Sequence, residues 1–139
     1  MKDSEIIGCS EVTIDSKGRL TLPKVIDADV KVNDEVVVIL NEGIIEIRTS
    51  ESILNEMKEI REIIKNASTI EIIEYWNEKF EKLCLTVKKK TAVDKQGRIL
   101  LGEKLTKEFP FKDVVVVGFY DSFRVYPVSL YNEKRIQSR

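Results

Sequence analysis

Apolar and polar residues follow two rhythms along this 139-residue chain. Near the N-terminus, and again 79 residues later, short apolar runs flank a polar turn. Thr13-Ile14 leads into Asp15-Ser16-Lys17-Gly18-Arg19 and Leu20-Thr21-Leu22 leaves it; Ala92-Val93 leads into Asp94-Lys95-Gln96-Gly97-Arg98 and Ile99-Leu100-Leu101 leaves it. Each reads as strand, tight turn, strand. Gly18 and Gly97 supply positive φ, and the Asp carboxylates can accept from backbone N–H groups ahead of them. After Pro23, the segment Lys24–Val30 suits a short helix. Glu35–Leu40 and Ile44–Arg48 predict a hairpin about Asn41-Glu42-Gly43, and Asp113–Phe119 with Phe123–Tyr126 predict another about Tyr120-Asp121-Ser122. Runs as continuous as Val36-Val37-Val38-Ile39-Leu40 imply strands covered on both faces, which a unit of about 40 residues cannot achieve alone. The two units are therefore expected to bury each other.

Between them the period lengthens. Ile53, Met57, Ile60, Ile64 and Ala67, then Ile73, Trp76, Phe80 and Leu83, fall at spacings of three and four, which predicts a helical hairpin with a break near 66–68. Ser68 and Glu71 suggest a capping box for the second helix. The stripe has two readings, an interaction or oligomerisation surface, or packing against the β units. It is too short to establish a coiled coil.

The two β units form an internal repeat. An offset of 79 superposes the turns, with Asp, Gly and Arg identical, and carries Asp34–Ile39 onto Asp113–Gly118. A one-residue slip then matches Ile45-Glu46-Ile47 with Phe123-Arg124-Val125. The implied organisation is a first unit over 8–48, a helical insertion over 49–87, a second unit over 88–127 and a tail over 128–139. Gly102 stands where the first unit has Pro23.

Composition narrows the chemistry. The chain has no histidine, which removes imidazole acid–base chemistry, Ser-His-Asp triads and most zinc catalysis. It carries no nucleotide-binding loop, nucleophile elbow or metal-ligand cluster, so a non-enzyme without cofactor, metal or small-molecule substrate is expected. Cys9 and Cys84 are too few and too far apart for a disulfide framework or zinc site. The polar N-terminus and the lack of a long apolar run predict a cytoplasmic protein without membrane contact. Net charge is −1, but unevenly spread: residues 1–50 carry six positive and ten negative side chains, and residues 91–139 nine positive and six negative. A local basic face is enough for a nucleic acid. Lys88-Lys89-Lys90 is the densest basic run, read either as a phosphate contact or as solvated surface.

The paired segments Asp15–Pro23 and Asp94–Leu101 resemble the SpoVT–AbrB, or swapped-hairpin, family of bacterial transcriptional regulators, and within it the tandem MraZ-like members. The resemblance implies an α+β, mainly β fold in which two swapped-hairpin units form an intrachain pseudo-dimeric β-barrel, with the helical insertion between them. It also implies double-stranded DNA as partner, a nucleoid location, a homo-oligomer that can be ring-shaped, and DNA contact through Lys17, Arg19, Lys95 and Arg98. Physically, an Arg on such a turn can pair bidentately with guanine, while Lys anchors phosphate. An ion pair with Asp15 or Asp94 is the alternative for each Arg, and both roles are compatible. A protein-interaction module of the same fold, antitoxin-like or a scaffold, is the competing function.

Overall fold

The hydrophobic alternation resolves into eight strands and four helices in the computed structural model, which describes residues 9–23, 31, 33–119 and 122–137. In chain order these are β1 (Cys9–Thr13), β2 (Arg19–Thr21), β3 (Glu35–Asn41), β4 (Ile44–Thr49), α1 (Ser50–Lys65), α2 (Ile70–Thr86), β5 (Val87–Ala92), β6 (Arg98–Leu100), α3 (Gly102–Glu108), β7 (Asp113–Phe119), β8 (Ser122–Pro127) and α4 (Val128–Gln137). The class is α+β. The helix expected over Lys24–Val30 lies outside the described residues, as do Tyr120 and Asp121 of the second hairpin turn.

Strand order shows how the units share a core. Six antiparallel strands run β1-β7-β8-β4-β3-β5, and β2 pairs with β6 as a separate ribbon. The first strand of each half thus lies beside the hairpin of the other: Val12 faces Val114, and Thr91 faces Val36. The central seam joins the two hairpins, with Ile45 opposite Val125 and Ile47 opposite Phe123. The expected closed barrel is not formed. Among the described residues β1 and β5 remain the edges of an open sheet, because the Asp turns lead the chain away into the short ribbon, whose strands find each other instead of those edges.

One face of the sheet packs on that ribbon. Val36, Val38, Ile45, Ile47, Val114, Val116, Phe123 and Val125 meet Leu20 and Ile99 from the ribbon, Leu105 from α3 and Phe109 just after it in one continuous core. The other face of β3 presents Val37 and Ile39 to Ile53 and Leu83 at the base of the helical hairpin. β3 is therefore covered on both faces, as its unbroken apolar run requires.

This burial corrects the repeat. Val36 and Val38 occupy the places of Val114 and Val116, and Ile45 and Ile47 those of Phe123 and Val125. The offset is 79 through the turns but already 78 in β3 and β7, so the slip precedes the third strand rather than following it. A one-residue error would turn every side chain to the opposite face. At Gly102 φ is +85°. A proline, fixed near −65°, could not take that conformation, so Pro23 and Gly102 hold different backbone angles at matching positions of the repeat.

The inward stripe of α1 and α2 is the predicted one. Only Ile53, Ile60 and Leu83 are buried, and the rest of the stripe is half-buried between the two helices. The cap of α2 is Thr69, not Ser68: its hydroxyl accepts from the Ile72 N–H at 3.3 Å. The segment expected as a tail forms α4, which docks on β7 and β8, with Tyr131 beside Tyr126 and its hydroxyl 3.0 Å from Cys9 Sγ.

Candidate nucleic-acid interface

The two Asp turns fold almost identically. In the first, Asp15 Oδ1 accepts from the backbone N–H groups of Lys17 and Arg19, each at 2.9 Å, and Oδ2 accepts from Arg19 Nε at 2.7 Å. In the second, Asp94 Oδ1 accepts from Gln96 and Arg98 N–H, also at 2.9 Å, and Oδ2 accepts from Arg98 Nε at 3.0 Å. Gly18 and Gly97, at φ +77° and +78°, return their N–H groups to the Asp carbonyls. Each carboxylate thus closes its turn and orients its arginine. These donors, the Arg backbone N–H foremost, hold both Asp carboxyls below the ordinary value of 3.8 against a smaller opposing effect of desolvation. Ion pair and outward guanidinium coexist, because binding through Nε leaves the terminal nitrogens for another ligand. In the second turn one of those nitrogens donates to Gln96 Oε1 at 3.1 Å.

The turns are locked to one another. Leu22 N–H donates to Gly97 O at 2.9 Å and Leu101 N–H to Gly18 O at 2.8 Å, extending the ribbon in which Arg19 faces Leu100, Leu20 faces Ile99 and Thr21 faces Arg98. Leu20 and Ile99 point inward and are buried, so strand alternation puts Arg19, Thr21, Arg98 and Leu100 on the outer face. The two arginines lie on a diagonal of the ribbon, a residue separation of about 7–8 Å. Lys17 and Lys95 are exposed on the turns at opposite ends of this face. They are not equivalent: Lys17 aligns with Gln96, and Lys95 with Ser16.

The lysine run is placed differently. It lies on the edge strand β5, where Lys88 reaches Glu108 Oε1 at 3.4 Å and Lys89 is half-buried. A Cβ added at Gly102 would stand 3.0 Å from Lys89 Nζ. Lys90 pairs in register with Val37 and points to the other side of the sheet from Lys89. The Lys89 ammonium thus stands beside Gly102, itself close to Gly18 of the first turn, and lysines on an exposed edge also discourage edge-to-edge pairing. Thr21, Leu100 and Gln96 were not singled out by sequence reasoning. The alternation out from each Arg carried the signal for the first two.

Comparison with known proteins bears on the half of the chain that holds the second turn. Residues 77–137 match the family model described as "MraZ protein, putative antitoxin-like". The stretch runs from the middle of α2 to the end of α4, less than half of the chain, and includes β5, the Asp94 turn, β6, α3 and the β7–β8 hairpin. It supports an MraZ-like relationship. No curated protein matches the chain. Among the described residues no helix is long and apolar enough to cross a membrane.

Proposed function

We propose that the protein is a sequence-specific DNA-binding transcriptional regulator that reads double-stranded DNA through the outer face of the β2–β6 ribbon. The observation that carries this reading is the pair of Asp-anchored turns at opposite ends of one ribbon, each presenting an oriented arginine. A two-stranded ribbon fits the major groove, and an arginine there can pair bidentately with guanine O6 and N7. The diagonal of about 7–8 Å corresponds to roughly two base-pair steps at about 3.4 Å each. Lys17 and Lys95 serve as phosphate anchors at the ends. The MraZ match over the second half supports the same reading, and both halves are proposed as swapped-hairpin units of the SpoVT–AbrB kind.

Four cations per chain give a salt slope of roughly −4. So few contacts bind weakly, so the functional species is proposed to be a homo-oligomer, ring-shaped as the resemblance implies, engaging repeated sites together. The lysine run adds general attraction rather than base contact. The test is the double variant Arg19→Ala with Arg98→Ala, titrated against its own upstream region at several salt concentrations. Loss of sequence preference with a slope lowered by about two is expected. Unchanged salt-sensitive binding would end the proposal.

A second reading is a protein-interaction module, favoured by the exposed Leu54, Ile70, Tyr75 and Leu85 on the helical hairpin. A stoichiometric protein partner recovered without any DNA shift at moderate salt is the result that would favour it.

A further inference from the structure

The outer face of the ribbon contains one residue that neither charge nor core packing explains. Leu100 is 44% exposed, directly opposite Arg19 at the end of the ribbon beside the Asp15 turn, while its neighbours Ile99 and Leu101 are almost completely buried. At the equivalent place in the other half, 79 residues earlier, stands Thr21, also exposed. The repeat therefore presents two faces of unlike chemistry: Arg19 opposite a purely apolar side chain, and Arg98 opposite a hydroxyl. A bare leucine in a cationic surface costs exposed apolar area and offers nothing to phosphate. It gains a partner where DNA itself is apolar, at the thymine 5-methyl group on the floor of the major groove.

We propose that Leu100 is a specificity-determining residue that packs against a thymine methyl next to the base read by Arg19, and that Thr21, with a single methyl and a hydroxyl that can bond a base edge instead, gives the Arg98 half a weaker preference of that kind. The inference rests on the DNA-binding reading above and names what the same face selects. The ribbon then reads an asymmetric element from a nearly symmetric scaffold, so each protomer has a fixed direction on the duplex. The positive charge of Lys17, Lys95, Arg19 and Arg98 around Leu100 favours DNA over an apolar protein partner as its cover.

The experiment uses the full chain and a duplex chosen by selection from a random library. Each thymine in that duplex is replaced in turn by deoxyuridine, which removes the methyl group alone, and binding is measured by fluorescence anisotropy at fixed salt. The wild type is expected to weaken about four-fold at one position in each repeated element, the effect of exposing one methyl-sized group. Leu100→Ser, which leaves no methyl to pack, should abolish that sensitivity while keeping the salt slope, and Thr21→Leu should deepen the dependence at a second position about two base pairs away. Deoxyuridine tolerated equally everywhere by wild type and Leu100→Ser, with salt-dependent binding intact, overturns the thymine contact and spares the DNA reading. Leu100→Ser that lowers the assembled mass without altering thymine dependence also overturns it, by placing Leu100 between protomers. Failure of any duplex to bind in selection overturns both.

Discussion

Gly18 and Gly97 share one backbone conformation but not one environment, which lets two substitutions be compared quantitatively. Both have φ near +77°, where an L-residue with a Cβ pays about 1–2 kcal/mol. An added Cβ at Gly97 meets nothing within 4 Å, so Gly97→Ala should cost that backbone penalty alone. At Gly18 the same Cβ would lie 3.3 Å from Thr106 Cγ2 on α3 and 3.5 Å from Gly102 N. Thr106 cannot rotate freely away, since its hydroxyl donates to Glu103 O at 2.9 Å. Forcing it off its rotamer adds about 1 kcal/mol. For a chain of 139 residues the unfolding entropy is about 0.3 kcal/mol per kelvin. Gly97→Ala should therefore lower the melting midpoint by about 3–7 °C, and Gly18→Ala by about 3 °C more. Calorimetry on both variants, and on both again with Thr106→Ser, is the assay. Removing Cγ2 should bring the two glycine variants within about 0.5 kcal/mol of each other. If Gly97→Ala is the more damaging, or if the gap survives Thr106→Ser, the account of these turns is wrong.

Other consequences are simpler to state. Asp15 and Asp94 have lowered folded-state pKa values, so their contribution to stability is present above pH 3.8 and fades as pH falls through the lower folded values. Replacing both with Asn should flatten the pH dependence of the melting midpoint below pH 4, and a wild-type-like acid profile would contradict the bonding described. Phe109, 1% exposed beneath the ribbon, should cost about 3–5 kcal/mol when changed to Ala, measured by urea unfolding. Changing Lys88, Lys89 and Lys90 together to Gln should lower the salt slope of DNA binding by less than one, because Lys88 is held by Glu108 and Lys89 lies half-buried. A fall of two or more would put the run in the DNA interface.

Local chemistry in this chain was readable; long-range registration was not. Asp, Gly and Arg at fixed spacing specify their own turn, because the bonds involved span only two to four residues. The helical stripe was legible for the same reason, down to the break between α1 and α2. The shift from 79 to 78 fell one strand later in the sequence reading because valines repeat on both sides of β3 and β7, and only the cluster each side chain packs into distinguishes one face from the other. Helix α4 has few inward apolar residues to set a period, although Pro127 before it and Lys134 and Arg135 in its last turn mark its limits. The pairing of β2 with β6 joins residues about 80 apart, and nothing in either three-residue strand names its partner. That pairing decides which side chains share the candidate face, so Thr21 and Leu100 became visible only in the fold.

The exchange of β1 and β5 between hairpins also dictates the order in which the protein can be made. As the chain leaves the ribosome, β1 is complete long before β7, its partner about 100 residues later. At about 5–20 residues per second, its edge waits roughly 5–20 s for that partner. The first hairpin waits for β5 as well, until the intervening helices have been synthesised. A nascent chain of this topology therefore carries unpaired edges on β1, β3 and β4 through much of its synthesis, and two neighbouring nascent chains could satisfy each other's edges. The 16-residue α1 and 17-residue α2, built from contacts close in sequence, can form during that interval, before the sheet does.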